Sequence, residues 1–229
     1  MTSLLRTISI NDICELLTII GFVYFLVKKF ILKEPPIPSS ALKKIDRDMI
    51  EESIALLQKK GKKPGEDYQL PTDLKQRLLA DLHNEALLKE LLCDIAAHVG
   101  IDGTYIKLQF QDDYTKEYAG NISTNGAFTT VNLQLHSYYN LDVITAVLAH
   151  EVMHLYLYYQ GISRQDTLNN EVLTDTAAVY YGYGQYLYEG YKVIETNLGL
   201  SYHKVGYIRP EDVLFIREKL ENNDKREGL

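Results

Sequence analysis

The 229-residue chain has no tryptophan and only two cysteines, Cys14 and Cys93. One cysteine sits in an apolar N-terminal run and the other in a predicted helix, so no disulfide framework is implied and nothing argues for an oxidising compartment. Positive charge is also in short supply. With 24 Lys and Arg against 31 Asp and Glu, the formal net charge is -7, which gives no reason to expect a nucleic-acid partner. Internal repeats and low-complexity tracts are lacking, so repeat architectures are set aside. What remains is the composition of a folded protein, 46% hydrophobic and 24% charged, long enough for one domain of about 100–200 residues plus an appendage. Tyrosine is abundant, 18 against six phenylalanines, and many cluster between Tyr156 and Tyr207. Half-buried packing is the ordinary reading of such a cluster, and a wet cleft bordered by phenol tips is the alternative.

The appendage is N-terminal. ICELLTIIGFVYFLV, from Ile13 to Val27, is apolar apart from Glu15 and a few small or threonine positions, and Lys28, Lys29 and Lys33 follow at once. Extended back to Ile8, the run reaches the roughly 20 residues that cross a bilayer. A cleaved signal would place its positive charges before the apolar run and a small-residue cleavage site after it. The expectation is therefore an uncleaved single-pass anchor within residues 1–33, its lysine flank placing the following domain on the cytoplasmic side. A hydrophobic helix docked on protein is the alternative. EPPIPSS, residues 34–40, reads as a stiff extended linker because proline fixes its backbone. Residues 41–229 form the folded domain.

Within that domain, residues 41–60 carry apolar positions at helical spacing, and residues 71–100 read as one continuous helix capped by Thr72 or Asp73 and stopped by Gly100. His83 and His98 belong to this helix and read as surface or capping residues. From Thr104 to Leu135 the period changes to two. TYIKLQF, EYAGNIS and GAFTTVNLQL suggest antiparallel strands, with Asn125-Gly126 as a hairpin signal and the last run as an exposed edge strand. Helical periodicity returns over Leu141–Tyr159, again from about Ser163 past Ala178, and finally from Pro210. The predicted fold class is α+β, with about five helices around a small antiparallel sheet.

One anomaly stands out. The segment LDVITAVLAHEVMHLYLYY is almost wholly apolar, yet it contains His150, Glu151 and His154. Residues i and i+4 share a helix face, so both imidazoles can reach one point with the glutamate beside it, as two nitrogen ligands for zinc and a carboxylate placed to hold its water. A catalytic zinc site needs one more protein ligand and an open position. Downstream, NNEVLTDTAA offers Glu171 and Asp175, again four apart on a predicted helix. One of these carboxylates can close the metal shell, and the other can accept the ring N–H of a ligating histidine.

HEVMH followed by EVLTD resembles the signature of the gluzincin metallopeptidases, the thermolysin-like pairing of H-E-x-x-H with a later E-x-x-x-D. The resemblance is specific over about 30 residues and extends in layout over residues 104–190. It implies Zn2+ bound by His150, His154 and Glu171, with Glu151 as general base and Asp175 supporting a ligand histidine. It further implies a hydrolase of peptide or protein substrates, compact and without an accessory domain, since the gap from His154 to Glu171 is short. Leu157 and Gln160 stand where a metzincin would carry glycine and histidine, which excludes that subclass. Donors for a developing oxyanion are sought among Tyr180, Tyr181, His203 and Tyr207, and His136 reads as a loop residue. A catalytically silent, metal-containing binding or regulatory scaffold at the membrane is the alternative.

Overall fold

The computed structural model describes residues 45–60, 66–111, 119–125, 128–192, 194–195, 202–203 and 205–227. The anchor and linker expected over residues 1–40 lie outside them, and among the described residues no helix is long and apolar enough to cross a membrane. The chain divides into two units, residues 45–194 with 203–229, and residues 1–44 with 195–202.

The architecture is α-rich with a small three-stranded sheet, an α+β arrangement. Helix α1 (Arg47–Lys60) buries Ile50, Ile54 and Leu57 along one stripe and packs on the helices that span Thr167–Ala178 and Pro210–Glu227. The stretch read as one helix over residues 71–100 is two, α2 (Thr72–Ala80) and α3 (Glu85–His98). The break has a local cause. The Asn84 side chain accepts hydrogen bonds from the Ala86 and Leu87 amides at 3.1 and 3.2 Å, which starts a new helix where leucine periodicity alone would continue the old one. No side chain caps α2, whose N-cap is Pro71. Leu88, Leu91, Leu92 and Ile95 of α3 face the core.

Strands β1 (Ile106–Phe110), β2 (Gly120–Asn125) and β3 (Phe128–Leu133) pair in the order β1-β3-β2. The β2–β3 pair is antiparallel and falls at the Asn-Gly signal, but Asn125 is the last residue of β2, paired with Phe128, and not the first turn residue that the signal implies. The β1–β3 pair is parallel, so the sheet is mixed rather than antiparallel. Two expectations change together here, because β3 is the central strand and β2 is an edge. The inward positions of β3, Thr129, Val131 and Leu133, are all buried, and a central place covers them from both sides. Strand β2, carrying Asn121, Ser123 and Thr124, tolerates the solvated edge.

Helix α4 (Leu141–Tyr159) starts at Asn140, whose side chain accepts from the Val143 amide at 2.9 Å. It is packed by α3, β2 and the helices over Thr167–Ala178 and Gly184–Gly190, so nearly every residue from Leu141 to Leu157 is buried, which accounts for its all-round apolar sequence. Helix α5 (Thr167–Ala178), capped by Asp166, is followed by a π-turn over Val179–Tyr183, helix α6 (Gly184–Gly190) and the two-residue strands β4 (Ile194–Glu195) and β5 (Tyr202–His203). Helix α7 (Pro210–Glu227) closes the fold. The tyrosines are mostly core. Tyr68, Tyr183 and Tyr191 bury their rings and place their hydroxyls on Asp94, the Ile95 carbonyl and Asp175, so each polar tip is satisfied.

Candidate metal centre

The four acidic and imidazole groups singled out on α4 and α5, namely His150, His154, Glu171 and Asp175, come together where the two helices pack. The imidazole Nε2 atoms of His150 and His154 are 3.0 Å apart, and Glu171 Oε2 lies 3.2 Å from the first and 3.1 Å from the second. These three atoms form a near-equilateral triangle, and the group could hold a metal ion. Ligand bonds of about 2.0–2.1 Å in a tetrahedral site would space such atoms about 3.3–3.4 Å apart, so the observed triangle is close to one face of that tetrahedron.

The hydrogen-bond pattern behind the triangle decides which atoms face it. His150 Nδ1 sits 2.7 Å from Asp175 Oδ1. A carboxylate accepts, so the ring proton is on Nδ1 and the Nε2 lone pair points inward. The Thr174 hydroxyl donates to the Asn170 carbonyl at 2.9 Å, leaving its oxygen to accept from His154 Nδ1 at 3.2 Å. The second imidazole is thereby turned the same way. Two bare nitrogens and a carboxylate oxygen converging within hydrogen-bond distance repel one another unless a proton or a cation lies between them. That donor set, two imidazoles and one carboxylate, suits zinc and its neighbours among divalent metals.

Asp175 is fully buried, and both of its oxygens are used. Oδ1 accepts from His150 and from the Tyr191 hydroxyl at 2.5 Å; Oδ2 accepts from the backbone amides of Tyr207 and Ile208 at 2.7 and 3.1 Å. Burial opposes the charge, but these donors and the His150 imidazole hold Asp175 below the usual carboxylate range. The segment carrying those amides turns at Gly206, whose φ of +75 favours glycine and where an added Cβ would come within 2.1 Å of the Tyr191 ring. Glycine is needed there on both counts.

The same fields set the other charges. Burial disfavours a charged His150, yet Asp175, Glu171 and Glu151 outweigh it and raise its pKa well above the ordinary value. For Glu171, burial works upward but the two histidines prevail and bring it down to about 2. Glu151 goes the other way, raised chiefly by burial, with His150 and His154 only partly offsetting it.

Glu151 is nearly inaccessible but lines a cleft of about 820 Å³ together with His150, His154 and Glu171. Edge strand β2, with Ala119 just before it, forms one wall. Gly120 is the point of closest approach: a Cβ there would lie 2.9 Å from Glu151 Oε1 and 2.7 Å from Val147. Among the oxyanion donors considered, Tyr207 lines the cleft and its ring stacks over His150, with centroids 5.8 Å apart. Burial and the three site carboxylates push its pKa up to about 12. Tyr180 and Tyr181 instead lie in the core, and the His203 side chain is outside the described residues. His136 packs against Tyr138 and Tyr139 in the loop before α4.

Sequence reasoning missed Thr174, Tyr191, Gly120, Gly206 and the amides of residues 207–208. Thr174 had a signal, since it lies three residues after Glu171 on the same helix face. The others carry none, because they arrive from separate segments with no fixed spacing to the motif. No protein-family model, curated protein or solved structure matches this chain.

Proposed function

We propose that the chain is a zinc-dependent peptidase of the gluzincin type, tethered by its N-terminal apolar run with the catalytic domain on the cytoplasmic side. The observation that carries the reading is the convergence of His150, His154 and Glu171 beside a buried glutamate at the floor of an open cleft. The topology rests only on the lysines after residue 27. His150, His154 and Glu171 would hold the ion, which when bound supplies Lewis-acid polarisation of a carbonyl and acidifies water.

The chain's own residues do the rest. Edge strand β2 offers backbone hydrogen-bonding groups along the cleft, so an extended peptide adds to it as a further strand and is held straight across Glu151. The Glu151 carboxylate takes a proton from the attacking water and returns it to the departing amine nitrogen. Its burial raises its proton affinity toward the range such a shuttle requires. Tyr207, kept protonated by a pKa of about 12, presents a phenol donor over His150 for charge developing on the scissile oxygen. Asp175 and Thr174 keep the two imidazoles turned inward.

Glu151→Gln tests the reading. The variant is expected to bind one zinc per chain, by metal analysis, and to lose peptide hydrolysis by a factor of about a hundred or more. Hydrolysis undiminished in that variant, or none in the zinc-loaded wild type against a peptide library, would transfer support to a silent metal-containing scaffold.

A further inference from the structure

Asn170 precedes Glu171 on the first turn of α5 and lines the cleft. Each of its polar atoms but one is spoken for. Its backbone amide donates to the Asp166 carbonyl at 3.0 Å, its carbonyl accepts from the Thr174 hydroxyl, and its side-chain oxygen accepts from the Arg164 amide at 3.1 Å. That last bond fixes which way the carboxamide faces, since only the oxygen can accept from an N–H. The side-chain nitrogen is left with two donors and no hydrogen-bond partner among the described residues. Leu155, Leu157 and Ile162 line the same cleft and give it an apolar stretch, alongside Glu171 and Ser163. A donor kept oriented by the loop that it staples, on the wall that carries a metal donor, calls for an acceptor supplied from outside.

We infer that Asn170 is a substrate-binding residue whose Nδ2 donates to a main-chain carbonyl of the peptide, next to the carbonyl that reacts, while the intervening apolar side chain rests on Leu155, Leu157 and Ile162. The inference deepens the peptidase reading and rests on it. It names the substrate as an extended segment with an apolar residue and a neutral carbonyl beside the cleaved bond. An amide N–H bound to a carbonyl contributes modestly, so its loss costs about five- to tenfold in affinity.

The test uses the full chain loaded with zinc and two probes. Acetohydroxamate engages the ion alone; N-acetyl-leucine hydroxamate adds an apolar side chain and one amide carbonyl. Asn170→Asp retains the acceptor for the Arg164 amide but replaces the donor with a second acceptor, which repels the amide carbonyl that only the larger probe carries. The variant is expected to bind N-acetyl-leucine hydroxamate at least fivefold more weakly relative to acetohydroxamate than the wild type does. An unchanged ratio of the two affinities would overturn the inference and leave the peptidase reading intact. Failure of the wild type to bind either probe would overturn both.

Discussion

Two polar clusters of similar composition lie at different places in this fold, and they are built to opposite ends. In the first, between residues 66–70, α3 and the π-turn, Tyr68 donates to Asp94 at 2.6 Å, and His98 packs edge-on to Tyr68 and Tyr183 with its Nε2 3.0 Å from the Tyr181 carbonyl. Tyr68, Asp94 and His98 each meet a complementary neighbour there. In the second, between α4 and α5, Asp175 and Thr174 occupy the outer nitrogens of His150 and His154, so the inner ones are aimed at each other and at Glu171. A histidine beside a tyrosine and an aspartate is therefore not informative by itself. The direction in which the unsatisfied lone pairs point separates a self-satisfied cluster from one that could hold an ion.

The largest effect that would break this comparison is on zinc itself. His154→Ala removes one of three donors and is expected to lower zinc affinity by more than about a hundredfold, beyond the loss typical of an outer partner. His98→Ala should leave zinc content unchanged. Chelator competition measures both, and an equal loss from the two variants would erase the distinction between the clusters. Next in size is the outer partner. Asp175→Asn places an amide against the Tyr207 and Ile208 N–H groups and weakens the hold on His150, so zinc affinity should fall about 10- to 100-fold. The matching Asp94→Asn keeps an acceptor for Tyr68 and should alter zinc affinity by less than about twofold.

The smallest expected effect is graded with pH. Both imidazoles must be neutral to ligate, and the neighbouring carboxylates hold His150 protonated to a pH well above the ordinary histidine range. Raising the pH removes that proton, so zinc affinity should climb by up to about tenfold per pH unit until the raised pKa is passed. Calorimetry in buffers of different ionisation enthalpy should report a proton released on binding. Proton uptake, or affinity falling as pH rises from 6 to 8, would contradict the tautomers assigned here.

The sequence made one part of this centre readable and hid another for physical reasons. His150 and His154, and likewise Glu171 and Asp175, obey helical spacing, so each pair shares a face that the sequence itself displays. The donors that complete Asp175, namely the Tyr191 hydroxyl and the amides of residues 207–208, come 16 to 33 residues later, and only the tertiary fold brings them in. The fold divided in the same way. Leucine periodicity revealed α3 but passed over the break that Asn84 imposes, because one capping side chain outweighs continuous apolar spacing. The alternation in residues 126–135 identified β3 as a strand, while its central place depends on how many sides of Val131 and Leu133 need covering, which alternation alone does not encode.

Helix α4 is wrapped on nearly all sides, and so it behaves less as a surface element than as an axle seated in a fitted bearing. Turning it by a single residue, about 100° of rotation, would swing both imidazoles into hydrocarbon and bring Val147 or Leu155 toward the point where the two nitrogens now converge. Grease thus fixes the rotation of the helix, while the polar bonds of Asp175 and Thr174 need only turn the rings that the apolar residues have already brought into place.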